Sequence, residues 1–547
     1  MLSGVPSTRL TDRATSRVLR LPAPTTGYVV HRRLRVPMRD GIELIADHYA
    51  PMTSRPLGTI LVRGPYGRAF PSSIIYAQIY ATRGYHLLFQ SVRGTCGSGG
   101  QFEPMVNEAA DAADTVVWLR EQPWFTGTFA TIGLSYLGFT QWALMSDPPP
   151  ELAAAVVASG PHDLHESSWG TGSLAIADLL GWSHTVANHE GHLARQIALY
   201  LRGSRKLAGA VRDVPISGAA RTLLGEGSPW FESWVERPKA EDPFWAGLRA
   251  TPALERAAVP VLLLGGWQDI FISQTLTQYR QLSSRGVEVA MTIGPWTHDQ
   301  MATTAVGTTA TETLNWLGSH LAKKSVTPRT APVRVYVTGR ARGGWVDLPD
   351  WPPATDNKSF FLQAGGRLDS TPPPDGTSTF RYNPADPTPT VGGRLLARKS
   401  GYRDDTALAS RADVLSFTGA PLGAELCVCG SPVIELAYQT DNDHFDVFVR
   451  ISEVDSRGRS RNVSDGFRRF STIQDDPIRI ELDPIAHRFS AGSRIRLLIA
   501  GGCHPRFARN LGTGEPVLSG QRMAPSTHTV RHGETSTLTL PVGEPGV

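Results

Sequence analysis

The chain has 547 residues, too many for one hydrophobic core, so we expect two to four domains. Apolar residues make up 41% of the chain and charged residues 19%, and the net charge is only +4, with both signs dispersed. This composition is typical of a soluble globular protein and excludes a nucleic-acid binder built on a stripe of Lys and Arg.

The N-terminal segment lacks the continuous apolar region of a secretory signal peptide, and no run of about 20 apolar residues occurs in the chain. We therefore expect no membrane span and a cytoplasmic location. Of the four cysteines, Cys427 and Cys429 alternate in an apparent strand and share a face. Because no second His/Cys cluster accompanies them, the sequence predicts neither a metal site nor a disulfide framework.

Two strand-like runs flank the turn signal Arg39-Asp40-Gly41 and predict a β-hairpin. Short apolar runs follow, among them TILVRGPYG, YHLLFQSVRG, TFATIGLS and LAAAVVASG. Between them, EAADAADTVVWLREQPW predicts a helix with Ala110, Ala113, Val117 and Leu119 on or near one face. Apolar strands that alternate with helices predict a buried, mostly parallel sheet.

This alternation stops near Gly160 and resumes at VPVLLLGGWQD, and its last helix ends near Lys324. Residues 161–250 hold helix-like pieces rich in Trp, so we predict a helical insertion into an α/β domain formed by residues 1–160 and 251–330. From about Ala331, short alternating strands recur between Gly, Pro and Asp turns. They predict a β-sandwich or jelly roll over residues 331–547.

The stretch GLSYLG at residues 133–138 matches the G-x-S-x-G motif around Ser135. The motif is short and occurs by chance, so its surroundings decide its meaning. Here the strand FATIGL meets the helix YLGFTQWAL, which is the junction that a nucleophile elbow requires. Gly133 and Gly138 suit a crowded turn, and the helix N-terminus offers N–H groups to a developing oxyanion.

A nucleophilic serine needs a base and a group that orients the base. Asp269 follows the run VPVLLLGGWQ, and His298 follows VEVAMTIGPWT, in the Ser, Asp, His order of the α/β-hydrolases. Alternatively, Asp269 caps the helix that begins near Ser273, and His298 is a surface histidine. The order and position of the three residues favour a triad.

An oxyanion hole needs two donors. One is expected from the backbone N–H of Tyr136, the residue after the nucleophile. The loop LVRGPYGRAF offers Tyr66, whose phenol is able to donate an O–H, although most loop tyrosines simply pack.

The motifs GPYGR, FQSVRGTCGSGGQF, IGLSYLG, GGWQDIF and GPWTH resemble, in this order, the CocE/NonD hydrolases, the family of cocaine esterase and X-prolyl dipeptidyl peptidase. The resemblance covers most of the chain. It implies an α/β-hydrolase domain, an inserted helical cap and a C-terminal jelly roll. It also implies a triad of Ser135, Asp269 and His298, and an oxyanion hole formed by the Tyr66 hydroxyl and the Tyr136 amide.

The chain departs from the family at Ser91, where members commonly carry an Asp that we interpret as support for a loop. The resemblance implies an aromatic substrate pocket around Trp169 and Trp182. Trp267, which precedes the expected triad acid in GGWQD, is either a wall of this pocket or part of the core.

These residues predict a serine hydrolase that cleaves an ester or amide bond through an acyl-enzyme, with no cofactor or metal. The expected partner is a small ester, an amide or a short peptide, and the chain is compatible with a homo-oligomer. An X-Pro dipeptidyl peptidase remains an alternative, because Asp163, Glu166 and Asp178 are candidates for binding an α-amino group. An acyltransferase and a non-catalytic binding protein on a hydrolase scaffold are further alternatives.

Overall fold

A computed structural model describes residues 9–188, 206–324, 329–474 and 477–545 of the chain. The chain divides into two compact units, each assembled from separate segments. The first contains the described residues of Met1–His165, Glu241–Gly266 and Gln274–Pro332. The second contains those of Glu166–Ala240, Trp267–Ser273 and Val333–Val547. Most of the predicted insertion thus groups with the C-terminal region, and the three-domain division stays a prediction.

The first unit contains a mixed, mainly parallel sheet. The strands of this part of the chain are β1 (Tyr28–Pro37), β2 (Glu43–Pro51), β3 (Thr59–Gly64), β4 (His86–Ser91), β5 (Phe129–Leu134), β6 (Leu152–Ala158), β7 (Val261–Gln268) and β8 (Val289–Thr297). β1 and β2 form the predicted hairpin, and β2 pairs antiparallel with β4. From β4 the sheet continues in parallel through β3, β5, β6 and β7. The carboxyl ends of β5 and β6 therefore reach the same edge.

The described helices confirm the main helical patterns of the sequence. In chain order they are α1 (Arg9–Val18), α2 (Ile79–Ala81), α3 (Glu108–Arg120), α4 (Tyr136–Met145), α5 (Leu164–Trp169), α6 (Ile176–Ala187), α7 (Ile216–Leu224), α8 (Trp230–Val235), α9 (Pro252–Arg256), α10 (Ile272–Ser284), α11 (His298–Met301) and α12 (Val306–His320). A π-helical turn over Ile74–Gln78 leads into α2, and a 3-10 helix covers Pro243–Leu248. Among the described residues, no helix is long and apolar enough to cross a lipid bilayer.

The helix α3 is confirmed, but the face that carries Ala110, Ala113 and Val117 is not its buried side. Ala110 and Ala113 are exposed and 52% of Val117 is exposed, whereas Glu108, Asp111 and Thr115 join Leu119 on the buried side. The reason is that basic and amide side chains from other segments supply partners for the buried polar groups. For example, an Arg93 guanidinium nitrogen lies 2.6 Å from a carboxylate oxygen of Asp111.

The C-terminal part of the second unit is built from short, mostly antiparallel strands, as predicted. They are β9 (Val333–Gly339), β10 (Gly344–Leu348), β11 (Asp356–Gln363), β12 (Arg367–Asp369), β13 (Thr377–Tyr382), β14 (Val414–Gly419), β15 (Leu426–Gly430), β16 (Val433–Thr440), β17 (Phe445–Val454), β18 (Ser460–Phe470), β19 (Ile478–Glu481), β20 (Ile485–Phe489), β21 (Arg494–Ala500), β22 (Ser526–Arg531) and β23 (Thr537–Val542). β17 pairs with both β18 and β21, and their inward residues join one apolar core. The jelly-roll topology stays a prediction.

His48 on β2 lies in a buried aromatic stack in the first unit. His48 is 2% exposed, and its ring centroid lies 3.7 Å from that of Trp124. His48 Nε2 is 3.0 Å from His86 Nδ1, so one ring donates a hydrogen bond and the other accepts it. Burial lowers the pKa of His48 to about 3, and it also lowers the pKa of His86. The stack therefore favours neutral imidazoles.

We expect acid to destabilise the fold through His48. An unfolded histidine binds a proton near pH 6.5, but folded His48 does so only near pH 3, so unfolding takes up a proton between these values and stability falls as the pH falls. Between pH 6.5 and pH 5 the loss is about 2 kcal/mol. Denaturant unfolding at both pH values measures it. His48→Phe keeps a ring on Trp124 and should lack the part of the decline in unfolding free energy that comes from His48. An equal decline in the variant and the wild type would contradict the expectation.

Candidate active site

Ser135 lies where β5 ends and α4 begins, with φ 62° and ψ −123°. Few residues other than glycine adopt a positive φ. The backbone is held on both sides, because the Ser135 amide donates to the carbonyl of Ala158 at 2.9 Å and the Gly138 amide donates to the Ser135 carbonyl at 2.7 Å. This is the strand–turn–helix geometry that a nucleophile elbow requires.

The two motif glycines are required by close packing. A Cβ on Gly133 would lie 2.4 Å from the Cβ of Leu137, and one on Gly138 would lie 2.5 Å from the Cα of Gly160. Carbon atoms do not approach so closely without displacement of the backbone. Any side chain at either position would therefore shift the turn that presents Ser135.

Asp269 directly follows β7 and is fully buried. One carboxylate oxygen accepts a hydrogen bond of 2.7 Å from the Phe271 amide, just before α10 begins. This bond agrees with the capping role that we considered for Asp269. It does not conflict with a role in a triad, since an ionised carboxylate has two oxygens with about four acceptor positions.

His298 directly follows β8 and is the first residue of α11. It is 9% exposed, so it is not the surface histidine of the alternative interpretation. A capping box fixes the backbone in front of it, in which the Thr297 amide donates to Oε1 of Gln300 at 2.9 Å. Ser135, Asp269 and His298 thus each follow the carboxyl end of a strand, and their assembly into a triad stays a prediction.

The two predicted oxyanion residues lie close together in the first unit. Tyr66 is half-buried in the loop after β3, and its ring meets the Tyr136 ring edge-on with centroids 6.5 Å apart. Tyr136 is 2% exposed and opens α4. The first N–H groups of a helix have no acceptor within the helix, so an amide at this position suits the binding of an anion.

Arg68 anchors the loop that carries Tyr66. One of its partners is Ser91, the residue at which the chain departs from the family that it resembles. Its guanidinium donates to the Ser91 hydroxyl and, at 3.3 Å, to the carbonyl of Cys96. Arg68 Nε also lies 3.4 Å from a carboxylate oxygen of Asp47 on β2. Ser91 therefore still holds the loop as a neutral acceptor, and Asp47 supplies the negative charge opposite Arg68.

The Tyr136 hydroxyl enters a buried polar network that we did not predict from the sequence. It donates to Oε1 of Glu108 at 2.8 Å and accepts from the amide of Met105 at 2.7 Å. Arg63 Nη1 lies 3.3 Å from Oε2 of the same carboxylate. The available signal was the spacing of Glu108, Asp111 and Thr115, which places three polar side chains on one face of α3.

The three tryptophans assigned to the substrate pocket have different surroundings. Trp169 is buried, donates its indole N–H to the carbonyl of Trp234 at 2.9 Å, and lines a cavity of about 990 Å³ in the second unit. Trp182 is half-buried and stacks on Trp234 with centroids 5.7 Å apart. Trp267 is 1% exposed and packs against Trp351, so its ring lies in a core. Their contact with substrate stays a prediction.

Two family models match the chain, one after the other. The model for X-Pro dipeptidyl-peptidase (S15 family) matches residues 40–300, and that for the X-Pro dipeptidyl-peptidase C-terminal non-catalytic domain matches residues 325–540. Cocaine esterase from Rhodococcus sp. (strain MB1 Bresler) is 28% identical to the chain, and the match covers 94% of the chain and 99% of that esterase. The chain belongs to the CocE/NonD hydrolase family.

Two solved structures share the fold of this CocE/NonD hydrolase. An aminopeptidase from the marine sediment archaeon Thaumarchaeota archaeon has a TM-score of 0.79 at 23% identity, covering 94% of this chain and 96% of that one. An α-amino acid ester hydrolase has a TM-score of 0.78 at 23% identity, covering 96% and 98%. The predicted α/β-hydrolase domain with a C-terminal β domain is thereby confirmed, and family membership confirms an enzyme of the serine hydrolase class.

Gly138→Ala tests the packing of the elbow in this CocE/NonD hydrolase. The new methyl group must displace the Gly160 backbone, so we expect a loss of about 1–3 kcal/mol in unfolding free energy. We also expect the displaced turn to slow phosphonylation of the protein by a fluorophosphonate. Denaturant unfolding and the labelling rate measure the two effects.

Gly218→Ala is the matched control, because Gly218 also lies within a helix, α7, but a Cβ there would meet open space. Alanine favours helix over glycine, so this variant should be neutral or up to about 1 kcal/mol more stable, with unchanged labelling. If both variants behaved alike, the close packing at Gly138 would not be what maintains the elbow.

Proposed function

We propose that this CocE/NonD hydrolase cleaves carboxylic esters or amides through an acyl-enzyme formed on Ser135. The backbone of Ser135 carries the proposal, since a positive φ between a buried strand and a buried helix serves to present a hydroxyl group. Asp269 and His298 are the proposed orienting acid and base. Both are buried at the ends of strands, in the chain order of the α/β-hydrolases.

In the proposed reaction, Ser135 Oγ attacks the substrate carbonyl while His298 accepts the hydroxyl proton. Asp269 holds the imidazole and stabilises its charged form. The Tyr136 amide and the Tyr66 hydroxyl stabilise the oxyanion of the tetrahedral intermediate. His298 then gives its proton to the leaving alcohol or amine, and water activated by His298 releases the acid from Ser135.

The partners of the acidic residues favour an ester or acyl substrate over a free N-terminal dipeptide. A peptidase that binds an α-amino group needs a carboxylate for it. Asp163 forms an ion pair of 2.9 Å with Arg249, and Asp178 accepts a 2.7 Å hydrogen bond from the Leu396 amide. Glu166, the third candidate, is exposed. The relative named cocaine esterase is, by its name, an ester hydrolase.

Ser135→Ala tests the nucleophile. We expect kcat on p-nitrophenyl esters to fall by about 10⁴-fold or more, because removing a triad serine leaves only binding and oxyanion stabilisation. Fluorophosphonate labelling should disappear. Ser159→Ala is the control, because Ser159 also directly follows a strand of the same sheet and has a positive φ of 41°. Ser159 is buried, and its hydroxyl has no hydrogen-bond partner among the described residues. Equal turnover by the two variants would refute Ser135 as the nucleophile.

A substrate panel separates the proposed esterase or acylase from the alternatives. We expect higher kcat/KM on p-nitrophenyl esters and acyl anilides than on Ala-Pro-p-nitroanilide, since the acids considered for the amino group have other partners or are exposed. Faster release from Ala-Pro-p-nitroanilide would favour the X-Pro dipeptidyl peptidase named by the family models. Product analysis with an added alcohol or amine would reveal an acyltransferase as a new ester or amide.

A further inference from the structure

One buried carboxylate connects the elements that carry Tyr66 and Tyr136. Glu108 is the first residue of α3, and its side chain is 4% exposed. Oε1 of Glu108 accepts the 2.8 Å hydrogen bond from the Tyr136 hydroxyl, while Oε2 faces Arg63 Nη1 at 3.3 Å. The same Arg63 nitrogen donates to the backbone carbonyl of Glu108 at 2.9 Å. The two carboxylate oxygens therefore face different elements of the first unit.

Arg63 connects Glu108 with the loop that carries Tyr66. It lies on β3, three residues before Tyr66, and its side chain is 3% exposed. Its Nε donates to Oε1 of Gln90 on β4 at 2.7 Å, and this oxygen also lies 3.0 Å from the Thr115 hydroxyl of α3. The end of β3 is thus tied to α3 at the position where the Tyr66 loop begins.

Tyr136 is held at both ends of its side chain. Its hydroxyl uses its one proton on Glu108 and accepts from the Met105 amide, while its backbone follows the constrained Ser135. The ring packs edge-on against Tyr66. The ring is joined through Cβ to the first residue of α4, so loss of the hydroxyl's bonds would loosen both this start of the helix and the surface on which Tyr66 rests.

We propose that Glu108 is a positioning residue for the oxyanion hole, acting directly on Tyr136 and on Tyr66 through Arg63 and β3. The inference rests on the proposed function, because both donors are assigned there. It explains why α3 buries an acid at this site. Burial of a carboxylate is costly, and apolar residues of similar volume often stabilise a fold as well as a buried ion pair. Burial raises the pKa of Glu108, while Arg63 and the Tyr136 hydroxyl oppose this rise.

The experiment compares Glu108→Ala, Glu108→Gln and Tyr136→Phe with the wild type. Glu108→Ala and Tyr136→Phe should lower kcat on a p-nitrophenyl ester about 10- to 100-fold with KM within about twofold, because a misplaced oxyanion donor weakens binding of the transition state and not of the ester. Glu108→Gln keeps an acceptor for the Tyr136 hydroxyl and should recover most of kcat.

An aryl trifluoromethyl ketone provides a readout that a purely structural role would not change. Attack by Ser135 converts its carbonyl oxygen into an oxyanion, so its Ki should rise by the factor by which kcat falls. The Ki of the product carboxylate, which forms no such adduct, should stay within about twofold of the wild-type value.

Asp111 supplies the matched control on the same helix. It is a buried acid one turn after Glu108 and forms its ion pair with Arg93, but makes no hydrogen bond to Tyr136. Asp111→Ala and Asp111→Asn should keep kcat and both Ki values within about twofold of wild type. Tyr438→Phe, which removes a buried hydroxyl bonded to His528 in the second unit, should do the same.

Three outcomes would overturn the inference. The first is that folded Tyr136→Phe retains the wild-type kcat and the wild-type Ki for the ketone, a test that holds even if Glu108→Ala does not fold. The second is that Asp111→Ala loses as much kcat as Glu108→Ala, and the third is that both Ki values rise together. Failure of the proposed function looks different, because wild type would then escape fluorophosphonate labelling altogether.

Discussion

The rest of the site depends on one backbone constraint, the positive φ of Ser135. A conformation of this kind persists only where the surrounding structure determines it more than once. Here the amide of Ser135 is bonded to the neighbouring strand β6, and Gly138 brings α4 against Gly160 directly beyond that strand. The parallel sheet and the first turn of α4 therefore hold the serine from opposite sides, and the helix starts at Tyr136, whose amide is one of the proposed oxyanion donors.

Buried polar pairs complete this frame where apolar packing cannot set an orientation. A hydrogen bond depends on direction, whereas apolar contact mainly requires that space be filled. Glu108 orients Tyr136 by accepting the hydrogen bond from its hydroxyl. Arg68 orients the loop of Tyr66 through its hydrogen bond to Ser91 and its ion pair with Asp47. Both arrangements are costly in desolvation, and each lies beside an element on which the proposed chemistry relies.

Local patterns predicted most of the elements but not the side-chain partners within them. The hairpin, the parallel strands and the strand–turn–helix around Ser135 were predictable because each depends on neighbouring residues. The buried face of α3 was not, since Glu108 and Asp111 are stabilised there by Arg63 and Arg93, which are supplied by other segments. Trp267 illustrates the same limit, as its burial depends on Trp351, 84 positions later in the chain.

By itself, the sequence determined the class of this protein, because glycine spacing, strand ends and the order Ser135, Asp269, His298 are features of the chain itself and mark a serine hydrolase. Only the tertiary structure decided what surrounds the predicted site. It placed the Tyr136 hydroxyl on Glu108, and it paired Asp163 with Arg249 and Asp178 with the amide of Leu396. The physical reason is that hydrogen bonds and ion pairs join residues far apart in the chain, and no local pattern records which of them meet.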